Sequence, residues 1–164
     1  IGVLSDSYDA LGGAASGVST GDLPGPGNPN GYILPVDVLD DVAGTSDEGR
    51  AMIEIIHDVA PGAEQAFHTA FNGYSDFAQG VLDLEAAGCN IIVDDIFYFD
   101  EPFYSPGLVS QAVETVCANG TMYFSSAGNS DRDSYESIYD ESSAAEGFLN
   151  FLPARGLVRR QAAF

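Results

Sequence analysis

Lysine and tryptophan are absent from the 164 residues, and the five basic residues are all arginines set against 25 acids, giving a formal charge of −20 and a pI near 4.1. A summed field of that sign repels phosphate backbones and anionic bilayers, so neither nucleic acid nor a membrane surface is expected as a partner. No apolar run approaches the roughly 20 residues of a membrane span. No basic segment with a hydrophobic core opens the chain, so no signal peptide is read in it. Cysteine is scarce: Cys89 and Cys117 stand far apart, fit no metal or redox spacing, and are expected to be two buried thiols. What is present is apolar material, 45% hydrophobic with 11% aromatic, enough for one globular core. Ile1 already lies inside a strand-like run, so a signal or pro-segment upstream is expected. Localisation is unreadable from the residues alone.

Ile1-Gly-Val-Leu-Ser5 reads as a short buried strand ending at Asp6, followed by a Gly-weakened helix within 9–20. Residues 21–31 are dense in turn formers and form a surface excursion before a segment at 36–42. Glu64 to Phe71 reads as a strand, Ser75 as the cap of a helix with Phe77, Val81 and Leu84 on one face, and Gly88 as its stop. Asn90 to Phe97 is the continuous apolar run of a strand buried on both faces, yet Asp94 and Asp95 must point to opposite faces of it. At least one of them should be functional or paired. A helix from about Pro106 to Asn119 and a strand from Thr121 to Ser126 follow, and the strand runs into Ala127-Gly-Asn129. Alternating strands and helices of these lengths predict an α/β fold, a parallel doubly wound sheet flanked by helices. In such sheets sites form beyond the carboxyl ends of strands, where Asp6, Asp95 and Asn129 fall.

The stretch from Ser46 to Pro61 reads as one amphipathic helix capped by Ser46 or Asp47 and stopped by Pro61-Gly62. At about 100° per residue, Met52, Ile55, Ile56 and Val59 make an apolar stripe, with Arg50, Glu54, His57 and Asp58 opposite. Glu48, four residues before Met52, falls on the apolar side, where a carboxylate is costly unless something pairs with it or uses it. His57 is expected at the surface, about 900° of rotation from Glu48 and so on the other face. His68 is expected to be a packed or edge residue. The segment after about Asn150 changes character, with Arg155, Arg159 and Arg160 supplying three of the five arginines. We expect residues 1–150 to be one partial domain and 151–164 an atypical basic tail foreign to it.

Three blocks resemble one family. Ile1-Gly-Val-Leu-Ser-Asp6-Ser is similar to the aspartate block of the subtilases, the clan of subtilisins, kexins and sedolisins. Glu48-Gly49-Arg50-Ala51 through Val59-Ala60-Pro61 resembles their histidine helix ending in Val-Ala-Pro, and Ser125-Ser-Ala-Gly-Asn129 resembles their oxyanion block. The blocks stand in the family's order. The resemblance implies hydrolysis of peptide bonds in a polypeptide substrate by a serine nucleophile, with Asp6 orienting a base and Asn129 donating to the oxyanion. It further implies that the loop from Phe97 and Tyr98 onward lines the cleft for an extended peptide, and that the protein is secreted or extracytoplasmic.

The chain departs from the family's pattern at two points. Glu48 occupies the histidine slot, and no Gly-Thr-Ser-x-Ala-x-Pro nucleophile block follows Asn129; Gly44-Thr45-Ser46 imitates only its opening and reads as a helix cap. Glutamate as base resembles the sedolisins, and burial with a nearby carboxylate, Asp6 or Asp95, is how such a base works. Sedolisins, however, have an aspartate where this chain has Met52 and another where it has Asn129. The expected catalytic set is therefore Asp6, Glu48, Asp95 and Asn129, with Phe97 and Tyr98 at the substrate, no metal and no cofactor. Two rival readings carry no catalysis. Asn129-Ser-Asp131-Arg-Asp133-Ser-Tyr135 with Asp140 at the twelfth position is spaced like a calcium loop, though Ser134 replaces its glycine. The other rival is an inert remnant or interaction module, since a chain without a serine block should not turn over peptides.

Overall fold

Four-residue strands recur through the chain: β1 (Gly2–Ser5), β2 (Asp37–Asp40), β3 (Ala66–Thr69), β4 (Ile91–Asp94) and β5 (Met122–Ser125). They pair in the order β2-β3-β1-β4-β5, parallel throughout. These elements belong to a computed structural model that describes residues 1–43, 45–102 and 104–130. The chain divides into two compact units, Ile1–Ala127 and Gly128–Phe164. Of the second unit, residues 128–130 are described: an exposed bend with Gly128 in the left-handed region at φ 77°. The expected tail at 151–164 and most of the calcium-like loop, with Asp131, Asp133 and Asp140, lie outside the described residues.

The period-two alternation of the strands divides their side chains between two cores, which is why the buried strands read as unbroken apolar runs. Val3 and Phe67 pack with Tyr8, Leu23 and Ile53 on the face covered by α1 (Ala14–Thr20) and α2 (Glu48–Val59). Leu4, Ala66 and Ile92 pack on the other face with Phe77, Val81 and Leu84 of α3 (Tyr74–Ala86) and Ala112 and Val116 of α4 (Leu108–Ala118). This is the doubly wound parallel α/β architecture expected from the sequence. Asp94 and Asp95 fall on opposite sides of it, again as expected: Asp94 is held by Tyr123 and Ser125 of the neighbouring β5, whereas Asp95 reaches Ser5 of β1.

The roll of α2 differs from the sequence expectation. Its buried residues are Gly49, Ile53 and His57, while Ile55 and Val59 are 64% and 83% exposed and Glu48 is exposed. The cause is Gly49: a Cβ there would run into the Phe67 ring and come within 2.8 Å of the Ser7 carbonyl oxygen, so the helix settles on its glycine. His57, expected at the surface, is thereby 2% exposed, with its ring edge-on to Tyr32 at 5.2 Å. The expected caps also differ. Neither Ser46 nor Asp47 caps α2 with its side chain. Ser75 falls inside α3, because Gly73 at φ 100° makes the turn into that helix one residue ahead of Tyr74. Cys89 is buried as expected, but Cys117, on the outer side of α4, is exposed, and both are free.

Candidate functional site

β1 is the central strand, and Asp6 is the first residue past its carboxyl end. The Asp6 carboxylate is 3% exposed and fully engaged. Oδ1 accepts from the backbone N–H of Ser7 at 2.5 Å and of Gly49 at 3.2 Å, and Oδ2 accepts from both the N–H and the hydroxyl of Ser46 at 2.6 Å. Burial pushes its pKa up, but the hydrogen bonds from Ser46, Ser7 and Gly49 outweigh it and hold the carboxyl below its ordinary value. Asp6 thus does for α2 what a cap would do, from another strand: it satisfies the unpaired N–H groups at the positive end of the helix.

A second layer fixes the same turn. Asp47 takes left-handed backbone, φ 60° and ψ 32°, a conformation costing about 1 kcal/mol for a residue other than glycine. Its side chain offsets this by accepting from the Ser7 hydroxyl at 2.9 Å, the Leu11 N–H at 3.1 Å and Arg50 Nη1 at 2.5 Å. Burial raises the Asp47 pKa and these donors more than reverse it. Arg50, the only lysine or arginine among the described residues, is committed to Asp47, the Tyr8 carbonyl, Asp9 and Glu54.

Glu48 opens α2 at this anchored turn and is exposed. Asp95 is the first residue past β4, beside β1, and is partly buried. The Ser5 hydroxyl donates to its Oδ2 at 3.1 Å, while its Oδ1 is buried with no hydrogen-bond partner. Burial pushes the Asp95 pKa up, and the charges of Glu48 and Asp94 add to it against the opposing Ser5 bond. Asp94 is likewise raised by burial, but its oxygens receive Tyr123 Oη at 2.6 Å, Ser125 Oγ at 2.9 Å and the Ile96 N–H at 3.2 Å. Asp94 is therefore a structural acid and Asp95 the available one.

A cleft of about 360 Å³ opens beside Asp95, bounded by Ala70, Phe71 and Gly73 after β3 and by Ile96, Phe97 and Tyr98 after β4. Phe97 stands at its mouth, 61% exposed, edge-on to Phe99 at 4.8 Å. Tyr98 is packed against Phe77 at 5.4 Å and donates its hydroxyl to the Ala70 carbonyl, so it ties the two walls together. Burial and the charges of Asp76 and Asp94 push the Tyr98 phenol up to about 12.

Of the expected residues, Asp6, Glu48, Asp95, Phe97 and Tyr98 come together at the carboxyl ends of β1, β3 and β4. Asn129 belongs to the second unit. His68 is packed as expected, 4% exposed with Nδ1 2.8 Å from the Thr69 carbonyl oxygen. The Ser46 hydroxyl is committed to Asp6, and Thr45 Oγ1 is buried with no hydrogen-bond partner. Sequence reasoning missed Ser5, Ser7 and Asp47; the only signal was the placing of hydroxyls on both sides of a strand-end aspartate. It also missed Asp40, which lies with His68 and Asp76 in a group able to hold a metal. No family model matches the chain, and neither any curated protein nor any solved structure does.

The arrangement can do acid–base chemistry. Burial first, and then the charges of Glu48 and Asp94, favour the protonated form of Asp95, and among the described residues no cation is committed to it, so Asp95 can hold and release a proton beside the cleft.

Proposed function

We propose that this chain carries the acid–base part of a serine-type peptidase site of the subtilase kind, with Glu48 and Asp95 as the working carboxylates. The observation that carries the reading is the electrostatic contact between Glu48 and a half-buried Asp95 that has one free, buried oxygen, beside an open cleft. In this reading ionised Glu48 takes the proton from a serine hydroxyl as it attacks the peptide carbonyl, and returns it to the departing amine. Asp95 keeps its proton longer than an ordinary aspartate, because burial and the charges of Glu48 and Asp94 oppose its ionisation. Asp6 is a positioning residue: already saturated with donors, it sets the start of α2 and hence the place of Glu48. Phe97 forms the apolar wall against which an extended peptide lies. The resemblance assigns the oxyanion to the amide of Asn129 in the second unit, and the acid pair stands without it.

Peptide hydrolysis between pH 3 and 7 tests this, measured on the 164-residue chain and on a gene product that includes a Gly-Thr-Ser nucleophile block. The 164-residue chain is expected to be inactive and the longer product active, with Glu48→Gln lowering kcat at least a hundredfold and Glu48→His moving the pH optimum upward. Full activity in Glu48→Gln, or inhibitor-sensitive turnover by the 164-residue chain, contradicts the proposal.

A further inference from the structure

We propose that Asp40, His68 and Asp76 form a binding site for a divalent first-row metal ion of the zinc type, clipping β2, β3 and the first turn of α3 together. Each residue offers one ligand atom, and the three atoms lie within 4.8 Å of one another. The ion pairs among the described residues all belong to Arg50, so His68 is not a charged partner in direct contact with either carboxylate. Ligand atoms gathered within that span can reach a tetrahedral ion with bonds of about 2.0–2.2 Å after small side-chain rotations.

Three independent features of the chain build this group. The register of β3 against β2 shifts between Val38 and Asp40, and the shift sets Asp40 opposite His68. Irregularities of this kind re-aim a side chain and recur beside functional sites. Gly80 of α3 makes room for the imidazole: a Cβ there would come within 2.6 Å of His68 Nδ1. Asp76 sits one helical turn before Gly80, in the first turn of α3.

The polar atoms are in the state a metal site needs. His68 is 4% exposed, and its Nδ1 lies 2.8 Å from the Thr69 carbonyl oxygen. A backbone acceptor at that distance fixes the proton on Nδ1 and leaves the lone pair on Nε2, the outer-shell arrangement that orients metal-binding histidines. Asp40 is oriented as well, accepting from Asn72 Nδ2 at 2.9 Å and from the Asp41 N–H at 2.9 Å. Asp76 Oδ2 is buried with no hydrogen-bond partner. A buried carboxylate oxygen without a donor demands an explanation, and a cation supplies one. One neutral imidazole with two carboxylates suits zinc and its neighbours better than calcium or magnesium, which prefer oxygen ligands throughout. Three protein ligands leave a fourth position for water.

This site is separate from the Glu48–Asp95 pair, so its test decides nothing about peptide hydrolysis. The chain is stripped with a chelator and titrated with zinc chloride by calorimetry, with thermal melting alongside. One equivalent of zinc is expected to bind, and at a hundredfold excess over Kd the melting temperature is expected to rise by about 5–10 °C. Asp76→Asn and Asp40→Asn, each checked by circular dichroism to be folded, are expected to weaken binding at least tenfold and, at the same zinc concentration, to lose half of the rise or more. Calcium chloride at equal concentration is expected to give no shift. Absence of zinc binding, equal binding in both folded variants, or a calcium shift matching that of zinc overturns the proposal.

Discussion

Asp6 and Asp95 stand one residue past the carboxyl ends of adjacent parallel strands, yet their surroundings drive them in opposite directions. Asp6 receives four donors across both oxygens and is held below its ordinary pKa. From other described residues Asp95 receives one bond, from the Ser5 hydroxyl; burial and the charge of Glu48 hold it above. Position past a strand thus brings an acid to the site without deciding its task. The donors decide it: Asp6 is an anion built into the start of α2, and Asp95 is an acid left free to exchange a proton.

The largest effect that would break this comparison is expected at Asp6. Asp6→Ala strands the N–H groups of Ser7, Ser46 and Gly49 and should cost about 3–5 kcal/mol by urea unfolding at pH 7. Because its folded pKa is lowered, its contribution is present above the ordinary 3.8 and lost as pH falls through the lower folded value. The gap between wild type and variant should therefore narrow in strong acid; a constant gap would mean that the contacts are not charge-assisted. Next comes Gly49→Ala, expected to cost about 2 kcal/mol by forcing a methyl into the Phe67 ring and the Ser7 carbonyl. An unchanged melting temperature would show that α2 does not rest on that glycine.

Smaller effects are expected on the other side. Asp95→Asn should leave stability at pH 7 unchanged or raise it by up to about 1 kcal/mol, since it removes a partly buried charge that faces another. The sign reverses that of Asp6. A raised folded pKa favours the fold below 3.8 and disfavours it as pH rises through the folded value, so the variant's stability should fall less steeply just above pH 3.8. A loss of several kcal/mol would make Asp95 a structural acid like Asp94. The smallest stability change, within about 0.5 kcal/mol, belongs to the exposed Glu48→Gln.

The sheet was legible because its central strands β1 and β3 are buried on both faces, and because α1, α3 and α4 run into Gly21, Gly88 and Gly120. The opposed pair Asp94 and Asp95 was legible for the same reason, as period two leaves no other arrangement. The roll of α2 was not. A hydropathy count favours the stripe of Met52, Ile55, Ile56 and Val59, whereas the helix docks through Gly49, whose value is that it lacks a side chain. That roll carries Glu48 outward to the rim, where it meets Asp95, and turns His57 inward under Tyr32. The commitment of Asp6 to backbone donors was equally hidden, since it depends on a turn formed 40 residues away. So was the Asp40–His68–Asp76 group, whose members come from three elements and meet only through a register shift and a glycine.

Titration of the Asp95 carboxyl carbon by NMR, in the 164-residue chain and in Glu48→Gln, tests the pairing of these two acids most directly. The expected result is a midpoint above 3.8 that moves down, though not fully to 3.8, when Glu48 loses its charge, because burial remains. A midpoint at or below 3.8, or one indifferent to Glu48→Gln, would contradict the acid pair and with it the peptidase reading.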